Sequence, residues 1–133
     1  MLIPHLHFYG DCLQAIALYE KVFDTKAETI IFNREYNQEC NDDGVAHAVM
    51  YIHGQKIFLN DRFGNKDKSF DVAVHLIIMF KNTEELLACY EIMKPDSIII
   101  DPMAELPYSK LAVQFIDKYG VQWGFMVEEA EEI

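Results

Sequence analysis

The sequence predicts an α+β fold in which two tandem βαβββ modules form a curled mixed sheet around a shared cleft. Two observations support this prediction. The order strand, helix, strand, strand, strand occurs twice within 133 residues. Similar residues also recur at fixed offsets, since Asn82 follows Asp11 by 71 positions and Gly120 follows Gly54 by 66.

The duplication predicts one domain over residues 1–133, divided into module 1 (1–64) and module 2 (65–133). A half of this length buries too little surface to be more than marginally stable alone. We therefore expect the two halves to share a core, with the strands curled around a common cleft.

Module 1 begins with a predicted strand over residues 2–9 and a predicted helix over 12–23. We expect Asp11 to cap this helix, because Gln14 stands at the third position after it, as in a capping box. Apolar residues at helical spacing predict one buried stripe, made of Cys12, Ile16, Tyr19 and Phe23. Three more strands are predicted at 27–33, 45–52 and 55–61, with a polar loop over 33–44 and a His53-Gly54 hairpin turn.

Module 2 repeats this order, beginning with an apolar strand over residues 70–80. We expect Asn82 to cap the next helix, with Glu85 at the capping-box position, and Pro95 to end it. Its predicted buried stripe contains Leu86, Leu87, Tyr90 and Met93. The rest is predicted as a short strand (97–101), a loop (101–110), a hairpin (111–127) and an acidic tail.

The charge of the chain excludes several classes of partner. The formal net charge is −11, from 22 acidic and 11 basic residues. Such a surface repels phosphate backbones, so we expect neither nucleic acid nor an anionic membrane as a partner. Three widely spaced cysteines are an odd number and indicate free thiols in a reducing compartment. With neither a signal-peptide pattern nor an apolar run of about 20 residues, these features favour a cytoplasmic protein.

Three motifs in order span nearly the whole chain: PHLHFYGDCLQAIALY (4–19), HAVMYIHGQKIFLND (47–61) and DKYGVQW (117–123). With the duplicated βαβββ order, they resemble the vicinal oxygen chelate superfamily, which includes glyoxalase I, bleomycin-resistance proteins and extradiol dioxygenases. Within it the chain is most similar to the PhnB-like subgroup. Some members of that subgroup carry a ubiquinone-methyltransferase label, but this sequence shows no glycine-rich loop for a methyl donor.

Active members of that superfamily hold a divalent metal with residues on the first and last strands of each module. The resemblance places the first-strand ligand seven residues before the helix cap, at Pro4 and His75, and the last-strand ligand four residues after the turn glycine, at Phe58 and Gly124. Three of these side chains cannot coordinate a metal. The resemblance therefore implies no family metal site, with His75 as the one ligand candidate if a site exists.

Pairing across the His53-Gly54 turn sets Phe58 opposite Val49 and Asn60 opposite His47, and opposed residues share a face. Since Phe58 stands at a ligand position by resemblance, this face is expected to line the cleft. The candidate ligand-binding residues of both modules are His47, Phe58, Asn60, His75, Phe115, Gln122 and Met126. They predict a mostly apolar, aromatic-rich cleft with a few polar groups.

The first strand adds Pro4, Leu6 and Phe8 to the predicted cleft wall. His5 and His7 alternate with these residues, so we expect both histidines on the opposite side. A shift of one residue in this register would bring His5 and His7 into the cleft instead.

These observations favour a metal-free protein that binds a small hydrophobic or aromatic molecule. One alternative is a lyase, isomerase or dioxygenase that depends on a divalent metal such as zinc, held by His75 with His5 or His7 and a carboxylate. A second alternative is a dimeric scaffold whose cleft is filled by side chains. The resemblance also implies a homodimer, since superfamily members often pair. No catalytic residue is assigned.

Overall fold

The computed structural model describes residues 1–40, 42–62 and 74–128. The chain divides into two compact units, Met1–Phe70 and Asp71–Ile133. The module boundary predicted at 64/65, the predicted start of a strand at 70 and the acidic tail beyond 128 lie outside the described residues. No helix within the described ranges is long and apolar enough to cross a membrane.

The first unit contains a four-stranded mixed sheet and one helix. Its sheet has the order β1-β4-β3-β2, in which β1 runs parallel to β4 and the other pairs are antiparallel. The elements are β1 (His5–Phe8), α1 (Cys12–Phe23), β2 (Thr29–Phe32), a short 3-10 helix (Asn33–Glu35), β3 (Val45–Ile52) and β4 (Gln55–Asp61).

The second unit repeats this topology. Its sheet has the order β5-β8-β7-β6, with β5 parallel to β8. The elements are β5 (Leu76–Phe80), α2 (Thr83–Met93), β6 (Ile98–Leu106), β7 (Ser109–Ile116) and β8 (Gln122–Val127). The predicted α+β fold of two βαβββ repeats is confirmed, and the predicted span of α1 agrees with the structure.

The loop predicted over 101–110 is wrong in its first part, because β6 continues to Leu106. β6 is an edge strand, where a proline such as Pro102 removes no bond from the interior of the sheet. Its pairing with β7 shifts register at three points. These shifts interrupt the regular alternation by which a strand is recognised in a sequence.

The two helices begin in different ways. In α2, Asn82 Oδ1 accepts a hydrogen bond from Glu85 N (2.9 Å), so the predicted cap is confirmed. In α1 Asp11 is the N-cap residue, as predicted, but the expected capping box is wrong, because the Asp11 side chain makes no capping bond. Asp61, at the end of β4, caps this helix instead: its Oδ1 accepts from Gly10 N (2.7 Å) and Cys12 N (3.1 Å).

Each helix covers one face of its own sheet. In the first unit Phe8 is 1% exposed and its ring contacts Tyr19 of α1 at 6.5 Å between centroids. In the second unit Tyr90 of α2 contacts Phe115 at 5.3 Å. Leu86 and Met93 are buried as predicted, but Leu87 is 39% exposed and does not belong to the buried stripe. We call the opposite sides of the two sheets the first and second helix-free faces.

The DKYGVQW motif forms a turn around Asp117. This buried carboxylate accepts hydrogen bonds from Tyr119 N and Val121 N at Oδ1 and from Trp123 Nε1 at Oδ2, at 2.9 to 3.0 Å. Gly120 has a positive φ of 94°, which explains the glycine. The motif therefore has a structural role in this turn.

Candidate functional site

Three histidines lie on the first helix-free face. His5 pairs with Phe58 and His7 with Asn60 across the parallel β1–β4 ladder, and paired residues share a face. His7 Nδ1 donates to Asn60 Oδ1 at 2.6 Å, and the His5 and His7 rings lie 4.3 Å apart. His47 packs edge-on against the Phe58 ring at 4.7 Å. Phe58, Asn60 and His47 therefore share one face, as the hairpin pairing predicts.

The expectation that His5 and His7 point away from these residues is wrong. Leu6 and Phe8 instead pair with Leu59 and Asp61 on the helix-covered face. The count from the helix cap assumed seven residues, whereas His5 lies six residues before Asp11. A difference of one residue exchanges the two sides of a strand.

His5 lies in a basic environment. Its pKa is lowered, first by partial burial and then by the positive charges of His7, His47 and Arg62. None of these causes favours the imidazolium form. His5 is therefore biased toward the neutral imidazole unless an anion comes close to it.

The second helix-free face holds a cavity of about 390 Å³. The register pairs Ile77 with Gly124 and Met79 with Met126, and Gly124 also pairs with Gln114. The cavity is lined mainly by apolar groups, with Asp101 and Gln114 as polar groups: Ile77, Asp101, Pro102, Ala104, Leu106, Tyr108, Ala112, Val113, Gln114, Gly124 and Met126.

Two of the predicted ligand-binding residues of module 2 lie on the expected face. Met126 lines the cavity. Gln122 lies on the same face of β8, because it precedes Gly124 by two positions and Met126 by four. The placement of Phe115 is wrong. It pairs with Trp123, is 0% exposed and contacts Phe125 at 5.0 Å, so it belongs to the helix-covered core.

His75 is half-buried and directly precedes β5 in the second unit. It is not the residue beside Gly124, since the ladder pairs Gly124 with Ile77. The count of seven residues back from Asn82 fails here by two, because only Lys81 and Asn82 separate β5 from α2. Ligand binding by His75 and by the candidates other than Phe115, which lies in the helix-covered core, stays a prediction.

The corrected register changes which residues occupy the ligand positions that the resemblance implies. Beside Phe58 stands His5, and beside Gly124 stands Ile77. Of these four side chains only an imidazole can coordinate a metal, so the residues present do not fit a metal of the family type. Within the described residues there is also no group of three or more His, Cys, Asp or Glu side chains arranged to hold a metal ion.

Sequence reasoning missed part of the cavity. Asp101, Pro102, Leu106 and Tyr108 line it, yet the segment 101–110 was predicted to be a loop. The sequence carried one short signal, since the apolar Ala104 and Leu106 alternate with Glu105, as strand residues do. The sequence did not single out Ile77, because all residues of β5 are apolar.

Solved structures with the same fold define the class. The chain is 27% identical to the PhnB protein from Bacillus cereus, with a TM-score of 0.83 and coverage of 95% and 98% of the two chains. A glyoxylase/bleomycin resistance protein/dioxygenase domain from Frankia sp. EAN1pec is 18% identical, with a TM-score of 0.71 over 99% and 93%. The fosfomycin resistance protein FosX from Listeria monocytogenes, in complex with Mn(II), is 11% identical, with a TM-score of 0.68 over 98% and 93%.

The duplicated fold and these similarities place the chain in the vicinal oxygen chelate superfamily, in its PhnB-like subgroup. Residues 1–126 match the family described as 3-demethylubiquinone-9 3-methyltransferase, and the chain belongs to that family. A search of curated proteins finds no match.

Proposed function

We propose that this protein binds a small, mainly apolar or aromatic molecule in the cavity of the second helix-free face, without a bound metal. The observation that carries the proposal is the cavity itself, about 390 Å³ in volume. Binding sites for small molecules typically occupy roughly 300–1,000 Å³ and combine apolar walls with a few polar groups. Ile77, Leu106 and Met126 provide such walls, and Asp101 and Gln114 provide the polar groups.

Gly124 supports this assignment because it leaves space at the base of the cavity. A Cβ atom there would lie 3.4 Å from Ile77 Cγ1 and 3.8 Å from Gln114 Cγ, which is ordinary contact. An alanine would therefore fit without a clash, and the glycine is not required by local packing. Its small size is consistent with a ligand that approaches the sheet backbone closely.

The test is a titration with the uncharged fluorescent probe N-phenyl-1-naphthylamine. Met79 and Met126 form a matched pair, because they are partners on neighbouring strands and only Met126 lines the cavity. We expect M126Q to weaken probe binding at least fivefold and M79Q to change it less than twofold, with unchanged circular dichroism. Equal effects of both variants, or no fluorescence response of the wild-type protein, would reject the proposal.

The absence of a metal requirement is a separate part of the proposal. It is supported by Phe58, Ile77 and Gly124, which cannot coordinate a metal and stand at three of the four superfamily ligand positions. Protein purified without metal-affinity resin should contain far less than one divalent ion per chain by mass spectrometry, and EDTA should leave probe binding unchanged. Stoichiometric metal lost in a H75Q variant would favour the alternative, a metal-dependent lyase, isomerase or dioxygenase.

The family description names a methyl transfer, which makes methyl transfer the second candidate function. A glycine-rich loop between a strand and a helix would let the backbone approach a methyl donor closely. Here those connections are Tyr9–Asp11 and Lys81–Asn82, and together they contain one glycine. We therefore favour binding over methyl transfer. Calorimetry with S-adenosylmethionine should detect no binding, whereas micromolar affinity would support the second candidate.

A further inference from the structure

The first helix-free face differs in charge from the chain as a whole. The chain carries 22 acidic residues against 11 basic ones, and its five histidines are its remaining titratable bases. By strand alternation, this face receives ten strand residues: two from β1, two from β2, three from β3 and three from β4. None of the ten is Asp or Glu, whereas His5, His7, His47 and Lys56 are among them. Three of the five histidines thus gather among ten described strand residues that include no carboxylate.

These basic groups surround a single aromatic ring. Phe58 has His47 at 4.7 Å and His5 at 5.9 Å between centroids, and Lys56 Nζ lies 5.9 Å from its centroid. His7 is next to His5, and its Nδ1 donates to Asn60 Oδ1. Because Nδ1 is held as a donor, protonation of His7 adds a second donor at Nε2. We call His5, His7, His47, Lys56, Phe58 and Asn60 the histidine cluster.

We propose that the histidine cluster binds the oxyanion group of a small molecule, a phosphate or a carboxylate. Several like charges close together repel one another, and an anion among them removes this repulsion. Imidazolium and ammonium groups also form strong charge-assisted hydrogen bonds with oxyanions. The exposed edge of the cluster, at His5, leaves access from solvent.

The electrostatic surroundings of His5 agree with such a site. Among the described strand residues of this face, the titratable groups are His5 and His7 on β1, His47 and Tyr51 on β3 and Lys56 on β4, while β2 contributes Thr29 and Ile31. The pKa of His5 is lowered first by partial burial and then by the three positive charges of His7, His47 and Arg62, of which Arg62 follows β4. A bound anion would oppose all three influences, so binding should strengthen as the pH falls through the ordinary histidine range near 6.5.

All residues of the histidine cluster belong to the first unit. The experiment uses full-length protein labelled with carbon-13 on histidine. Imidazole chemical shifts are followed against pH in sodium chloride, sodium phosphate or sodium acetate of equal ionic strength. In phosphate or acetate the apparent pKa of His5 should rise by about one pH unit. The imidazole signals of His7 and His47 should also respond to the anion. Those of His53 and His75, which lie outside the cluster, serve as internal controls and should not respond.

An effect of phosphate without an effect of acetate would identify the oxyanion group of the ligand as a phosphate. The reverse result would identify it as a carboxylate. If neither ion changes the imidazole signals of His5, His7 and His47, the proposal is overturned. An equal shift of all five histidines would overturn it too, because it would show an adventitious ion only. The variants H5Q and H7Q should weaken binding of the anion that affects these signals at least fivefold, with unchanged circular dichroism. The variant H53N, in the hairpin turn and outside the cluster, should leave the affinity for this anion unchanged.

Discussion

The carboxylate of Asp61 accepts a hydrogen bond from the amide of Gly10 and so joins the end of β4 to the start of α1. It also binds the start of β3. Its Oδ1 accepts from Gly10 N (2.7 Å) and Cys12 N (3.1 Å), and its Oδ2 accepts from Val45 N (2.9 Å). Asp61 is 8% exposed. One side chain at the end of β4 thus fixes the start of α1 and the start of β3.

D61A should therefore destabilise the protein by about 3 kcal/mol, because it removes a helix cap and leaves a further buried amide without its partner. D11A is the matched control, since the Asp11 side chain makes no capping bond. We expect the control to change the free energy of unfolding by less than about 0.5 kcal/mol. Urea unfolding measures both, and equal losses would contradict the assignment of Asp61 as the cap.

The bond from Trp123 Nε1 to Asp117 Oδ2 should contribute about 1.5–3 kcal/mol, because it is buried and charge-assisted. Single variants alone would confuse this bond with lost packing. A double-mutant cycle with D117N and W123F isolates the coupling between the two side chains. A coupling energy near zero would show that the indole and the carboxylate act independently.

The cysteines should differ in their reactivity. The pKa of the Cys12 thiol is raised, chiefly by burial and further by the negative charges of Asp61 and Asp11. Burial, followed by Glu85, also raises the pKa of Cys89. Since the thiolate is the reactive form, we expect iodoacetamide at pH 8 to modify Cys40 first and Cys12 last in the native protein. Rapid modification of Cys12 without unfolding, detected by peptide mass spectrometry, would contradict its buried position.

Stability should fall in mild acid partly because of His5. Its pKa is lower in the folded protein than the usual 6.5, so the unfolded chain binds the proton more readily. Stability is therefore full above about pH 6.5 and decreases as the pH falls toward the folded-state pKa. H5Q should flatten this part of the curve of unfolding free energy against pH, and H53N should not. A curve unchanged by H5Q would show that His5 makes no such contribution.

The homodimer expected from the family resemblance is also open to measurement. The chain has a mass of 15.5 kDa, so light scattering after gel filtration should give about 31 kDa, which is 2 × 15.5. A concentration-independent mass of one chain would exclude it.

Local patterns were enough to predict both helices and the hairpins, because stripes such as Leu86 and Met93 and turns such as His53-Gly54 lie within a few residues of one another. They were insufficient for the site. The face of His5 depends on the length of the connection between β1 and α1, which is three residues, against two between β5 and α2. Counting from the helix caps assumed a fixed length and assigned both strands wrongly.

Long-range contacts explain the other errors. The cap supplied by Asp61 comes from 49 positions beyond Cys12, so no local motif contains it. Asp11 looked like a cap because its neighbours fit a capping box, yet a buried carboxylate from β4 binds the amides instead. In the second unit Val127, rather than an acidic residue, ends β8, and the local Asn82 caps α2.

The most direct test of the central claim is a crystal structure of the protein soaked with 4-bromophenol, an uncharged aromatic compound at neutral pH. We predict an anomalous bromine peak in the cavity of the second helix-free face, within about 5 Å of Met126 and Gly124. The M126Q variant should lose this peak and M79Q should keep it. A wild-type structure with no bromine in this cavity, or with bromine only elsewhere, would contradict the claim that this face binds small aromatic molecules.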